Sequence, residues 1–177
     1  MICHHKEDFK NKYKIINTIG YGNYTEVLKG EKIDTKELRA IKKINLGGIK
    51  MELEKENSEE EINKELQNYV NIVMNEIKYM KICGDKNENS VKYYESFETE
   101  NEFVIIMELC DKSLTQLKKG RRFNVQEIYE LLSQLNNTFK IMNENKIVHR
   151  DLKPDNILIK YVEDNKVIKL CDYCITT

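Results

Sequence analysis

The amino-acid sequence predicts an α+β protein of two lobes, a small β-rich one followed by a mostly helical one. Three observations predict it. Between Tyr13 and Ile44, short runs rich in β-branched residues alternate with Gly and Asp turn residues. Between Glu61 and Ile82, the apolar residues Leu66, Tyr69, Val70, Val73, Ile77 and Met80 recur at steps of three and four, the spacing of one helix face. Further on, Asn124 with Glu127 forms an N-terminal capping signature. It opens a second apolar stripe of Ile128, Leu131, Leu132, Leu135, Phe139 and Met142.

The elements follow in order. Residues 1–10 are polar and read as a loose tail. Tyr13 to Ile19 is a strand closed by Gly20 and Gly22, Glu26 to Glu31 the returning strand, and Asp34 to Glu37 a turn. Leu38 to Ile44 is a third strand. Residues 47–64 begin with Gly47-Gly48, are dense in Glu, and read as a solvated acidic insertion ahead of the first helix. Val91–Phe97 and Glu102–Met107 form a hairpin around Thr99-Glu100-Asn101. Ser113–Lys118 is a short helix, and the long one starts after Asn124. Ile157–Lys160 and Lys166–Leu170 are two more short strands. The boundaries this gives are a tail at 1–10, a small lobe at 11–107, a connector at 108–112 and part of a large lobe at 113–177.

Bulk properties exclude several classes. The chain has 177 residues, 40% of them hydrophobic, which is enough for one domain core or two small lobes. Its formal net charge is −1 with 33% charged residues, so neither nucleic acid nor an anionic membrane surface is expected as main partner. No apolar run approaches the roughly 18 residues of a membrane span. The N-terminus lacks the apolar segment of a signal peptide, and a cytoplasmic or otherwise intracellular protein is expected. Five scattered cysteines are not a disulfide framework. Cys171-x-x-Cys174 alone is short of the four ligands zinc wants.

The chemistry concentrates in His149-Arg150-Asp151-Leu152-Lys153-Pro154-Asp155-Asn156. This loop puts an acid, an amine and an amide within one short segment, a set suited to phosphoryl transfer. Asp151 can accept the proton of an attacking hydroxyl, Lys153 can sit against the transferring phosphate, and Asn156 can offer a neutral oxygen to magnesium. Gly20-Tyr21-Gly22 lets backbone N–H groups approach phosphates. A dinucleotide turn is disfavoured, because a strand follows rather than a helix, and there is no P-loop lysine. Strand periodicity puts Ala40 and Lys42 on one face and Lys43 on the other. Glu76 falls between Val73 and Met80 inside an apolar helix stripe. A carboxylate there costs several kcal/mol in order of magnitude unless paired, and an inward lysine is its natural partner.

In order along the chain, Gly20/Gly22, Val27, Ala40-x-Lys42, Glu76, Met107-Glu108, His149-Arg150-Asp151, Lys153, Asn156 and Asp172 resemble the motifs of eukaryotic protein kinases. The resemblance covers about residues 13–177. It implies a two-lobe kinase fold and the transfer of phosphate from ATP, with Mg2+, to a serine or threonine hydroxyl of a protein substrate. Lys153 with Pro154 resembles the Ser/Thr-specific loop. Arg150 resembles the arginine of kinases switched on by phosphorylation. The resemblance assigns Asp151, Lys153 and Lys42 to catalysis, and Asn156 and Asp172 to the metal. Nucleotide contacts fall to Ile19, Gly20, Gly22, Val27, Ala40, Lys42, Glu76, Met107 (the gatekeeper), Glu108, Cys110 and Leu158.

Three departures stand out. Thr25 replaces the third glycine of the loop, and Cys174 the glycine of Asp-Phe-Gly. The gap from Lys42 to Glu76 is longer than usual, which the acidic insertion accounts for. The activation segment and later large-lobe helices of the family have no counterpart before Thr177. On this basis the stripe Leu131, Leu135, Phe139 and Met142 is expected to lose much of its partner surface, and this chain alone to phosphorylate peptides poorly. Two other readings stand beside the kinase: a truncated pseudokinase that binds ATP or a partner without transfer, and a small-molecule phosphotransferase.

Overall fold

The computed structural model describes residues 4–173, which divide into two compact units. The first contains residues 4–74 and Tyr93–Leu109, the second Asn75–Lys92 and residues 110–173.

The first unit is a six-stranded sheet in the order β1-β5-β6-β4-β3-β2. Its strands are β1 (His4–His5), β2 (Tyr13–Gly22), β3 (Thr25–Lys32), β4 (Leu38–Asn45), β5 (Tyr93–Glu98) and β6 (Glu102–Glu108). All neighbours run antiparallel except β1 and β5, which are parallel. β6 lies in the interior of the sheet, and Phe103 through Glu108 are all buried, which explains its unbroken apolar run. β2 is an edge strand, mostly exposed, with irregularities between Ile15 and Asn17 and between Thr18 and Gly20. Such bulges end an edge's capacity to pair further. One core cluster joins Phe9, Tyr13, Leu28, Ile41, Phe97, Val104 and Ile106.

Two expectations for this unit need correction. The tail is part of the sheet: His4 pairs with Ser96 and His5 with Phe97, and Phe9 is buried in a short turn capped by Asp8. Histidine rings stacked on Phe103 and Phe97 make the polar-looking segment adhesive. The acidic insertion is not simply solvated either. Its start is helix α1 (Leu46–Leu53), capped by the Asn45 side chain and anchored by buried Leu46 and Ile49, while Glu52, Glu54 and Glu56 face solvent.

Helix α2 (Glu59–Gly84) carries three glutamates in its first turn, which complement the helix dipole. Val73, Ile77 and Met80 are buried as the periodicity requires, together with Ile62 and Cys83, whereas Tyr69 is exposed.

The second unit holds the end of α2, the helices α3 (Leu114–Lys118) and α4 (Val125–Glu144), and a three-stranded sheet of β7 (Lys112–Ser113), β8 (Ile157–Val162) and β9 (Asn165–Leu170). Both helices begin with a full capping box, Ser113 with Gln116 and Asn124 with Glu127. Gln134 of α4 ties the helix to β9: it donates to the Lys166 carbonyl and accepts from the Ile168 N–H.

The exposed apolar surface of α4 differs from the expected one. Leu135 and Met142 are buried and Leu131 and Phe139 half-buried, whereas Val125, Ile128, Tyr129 and Leu132 are exposed. The buried face is turned towards Thr138, a fully buried residue outside the apolar stripe. Its hydroxyl bonds the Asn87 side chain and the Asn89 carbonyl. Among the described residues no helix is long and apolar enough to cross a membrane.

Candidate active site

The loop before β8 is shaped by its own hydrogen bonds. The Asp151 N–H donates to the His149 carbonyl at 2.8 Å, and Arg150 between them takes a left-handed φ of 60°. Pro154 opens a single 3-10 turn through Asn156, where its missing N–H costs nothing. The turn delivers Asn156, buried, back under Asp151. The Asn156 amide donates to both the backbone carbonyl and the carboxylate of Asp151, each at 2.9 Å. The Lys153 ammonium lies 2.8 Å from the same carboxylate oxygen.

These contacts set the charge states. The Lys153 bond holds the Asp151 carboxyl below its ordinary value; Asn156 adds to this, and the charge of Asp172 opposes it. Asp151 in turn raises the Lys153 amine. Asp151 is thus an ionised, oriented acceptor at neutral pH.

Asp172 follows β9 and is half-buried. Its φ of 57° is left-handed, a region in which aspartate is among the better tolerated residues. The flanking residues are both held. The Cys171 N–H donates to the Asn156 carbonyl at 3.0 Å. The Cys171 carbonyl accepts from His149 Nε2 at 2.9 Å, which assigns that ring proton to Nε2. On the other side Tyr173 is buried, its ring 5.5 Å from that of His149.

Asn156 and Asp172 suit magnesium by donor type. With its amide nitrogen used on Asp151, Asn156 has its oxygen to offer, and Asp172 supplies a carboxylate. Magnesium binds such hard oxygens in small number, and waters and phosphates complete its shell. Leu158 on β8 and Cys110, just before β7, are half-buried; Leu158 pairs with Ser113 across the sheet. Glu76 is 8% exposed, inside the Val73–Met80 face as expected.

In the first unit, the β3–β4–β6 register collects a second group. Gly20 pairs with Val27, Val27 with Lys42, and Ala40 with Met107. With a period of two, Val27, Ala40, Lys42 and Met107 share one face of the sheet. Lys43 turns to the other face, where it pairs with Glu102 at 2.9 Å. A Cβ at Gly22 would meet the Thr25 hydroxyl, which would have to turn aside. Ile19 is exposed on β2. Glu108, expected to open the connector, is instead the last, buried residue of β6, paired with Arg39. Cys174 lies outside the described residues.

Sequence reasoning did not find Ser90, whose hydroxyl is 2.6 Å from that of Tyr173. Tyr173 stands where the Asp-Phe-Gly motif has phenylalanine, and nothing along the chain points to a partner so distant.

The protein kinase domain model matches residues 13–177, and the chain belongs to that family. Among its relatives is cyclin-dependent kinase-like 5 of Mus musculus, 31% identical over 165 residues, which take in 92% of this chain and 15% of that protein. NUAK family SNF1-like kinase 1 of Mus musculus is 30% identical over 172 residues, 96% of this chain and 23% of that protein. The probable serine/threonine-protein kinase fnkE of Dictyostelium discoideum is 27% identical, covering 97% of this chain and 12% of its own length. The chain therefore spans less than a quarter of each of these relatives.

Proposed function

We propose that the protein is a serine/threonine kinase, transferring the terminal phosphoryl group of ATP to a hydroxyl of a protein substrate inside the cell. The observation that carries this reading is the Asp151 carboxylate, kept ionised and oriented by Lys153 and Asn156. An acceptor held in this way can take the proton of an incoming hydroxyl. Lys153 would also balance charge on the phosphate in transit. Lys153-Pro154 and the serine/threonine kinase among the relatives support Ser/Thr acceptors over Tyr.

Lys42 would hold the α- and β-phosphates, with Glu76 as the partner that the resemblance expects for it. Gly20 and Gly22 would approach the phosphates through their backbone. Ile19, Val27, Ala40 and Leu158 would enclose the adenine, Met107 would limit the depth of its pocket, and the Glu108 and Cys110 backbones would hydrogen-bond its edge. Asn156 and Asp172 would hold magnesium, which when bound neutralises phosphate charge.

The test is to incubate the protein with Mg-ATP and a panel of protein substrates and to locate the product by mass spectrometry. Phosphoserine or phosphothreonine, lost in Asp172→Ala, is expected. Nucleotide binding with no transfer to any acceptor would overturn the enzymatic reading.

A further inference from the structure

We infer that the hydroxyl pair Ser90–Tyr173 is a positioning device for Asp172; this rests on the magnesium role proposed above for that carboxylate. Backbone pairing between strand β9 and the segment before β5 creates the device. The Val91 N–H donates to the Leu170 carbonyl and the Leu170 N–H to the Asn89 carbonyl, which sets Ser90 beside Leu170 in a parallel bridge. Ser90 is fully buried there, and its hydroxyl meets that of Tyr173 at 2.6 Å. The Cys83 thiol of α2 lies beside the same phenol.

Asp172 is thus held from both sides. Its predecessor Cys171 is fixed through its carbonyl by His149 and through its N–H by Asn156. Its successor Tyr173 is fixed at the far end of its ring by Ser90. With both neighbours anchored, the left-handed backbone of Asp172 is retained and its carboxylate has a defined direction. A phenylalanine at 173 would fill the same space but have no polar anchor, leaving rotation about Asp172 restrained on one side only. Groups that orient a metal ligand typically change metal affinity or activity by about 10–100-fold when removed.

The test compares Ser90→Ala, Tyr173→Phe and the double variant, each by two readouts. One is the apparent Mg2+ affinity, titrated at saturating fluorescent ATP analogue, with analogue affinity in EDTA as reference. The other is thermal unfolding. Each single variant deprives a buried hydroxyl of its hydroxyl partner and is expected to melt lower, whereas the double variant removes both hydroxyls and regains most of that loss. All three variants are expected to bind Mg2+ about ten-fold more weakly, with analogue affinity in EDTA unchanged within about two-fold. The discriminating result is the double variant: stability returns but Mg2+ affinity does not. If Mg2+ affinity is unchanged in the single variants, or returns with stability in the double, the hydroxyl pair serves folding alone and the inference is overturned. If the unmodified protein binds the analogue with no Mg2+ dependence, the magnesium role of Asp172 fails, and the positioning role with it.

Discussion

The Asn156 amide serves Asp151 twice, donating at 2.9 Å to the backbone carbonyl and at 2.9 Å to the carboxylate of the same residue. One buried side chain therefore fixes both the main chain and the acid of the loop. Asn156→Ala is expected to lower stability by about 1–3 kcal/mol, the usual cost of leaving hydrogen-bonding groups without their partner. Urea unfolding measures it; a change within about 0.5 kcal/mol would show that the loop keeps its shape without the amide.

The Asp151–Lys153 contact sets the pH behaviour of the acid. Asp151 is depressed first by its bond to Lys153. A carboxyl whose folded value is lowered contributes stability that is present above its unfolded value, about 3.9, and is lost as pH falls through the lowered folded value. In Lys153→Met the first cause is removed, so the Asp151 titration should move up towards its ordinary value. Carbon-13 NMR of the labelled carboxyl reads this directly, and an unchanged midpoint would mean that Lys153 is not the group responsible.

The start of α4 makes a separable prediction. Asn124 caps the helix, and Glu127, bonded first by Arg121 and then by the Asn124 N–H, titrates down to about 2. Asn124→Ala is expected to cost about 1 kcal/mol. The share due to ionised Glu127 should be present above its unfolded value, about 4.3, and disappear as pH falls towards 2. Denaturant melts of Glu127→Gln and the unmodified protein should therefore differ at pH 6 and converge at the acid end; an equal difference at both ends contradicts it.

Two leucines on the same helix should behave oppositely. Leu135 is 1% exposed and Leu132 54%. Leu135→Ala is expected to destabilise by about 2–5 kcal/mol, and Leu132→Ala to stay within about 0.5 kcal/mol. Comparable losses by chemical denaturation would contradict the observed orientation of α4.

Much of this architecture was legible from local patterns. The strands, α2 and the capped start of α4 follow from periodicity and from turn and cap chemistry, which act over a few residues. Lys42 against Lys43 was separable for the same reason, since period fixes the face. Contacts made over long sequence distances were not legible. His4 and His5 read as polar residues until the rings of Phe97 and Phe103 and the carboxylates of Glu95 and Glu98 are beside them. Thr138 is a polar residue on a buried face, where its hydroxyl bonds the Asn87 side chain and the Asn89 carbonyl. Ser90 has meaning only opposite the Tyr173 hydroxyl.

The most direct test of the central claim, that Asp151 serves phosphoryl transfer from ATP, is the rate of transfer by Asp151→Asn beside its nucleotide affinity. Asparagine keeps the size of the side chain but cannot accept the proton as a carboxylate does. The rate is expected to fall by about 10²–10⁴-fold, the usual contribution of a positioned acid or base, while nucleotide affinity changes by no more than a few-fold. Transfer by Asp151→Asn at the rate of the unmodified protein would contradict the account.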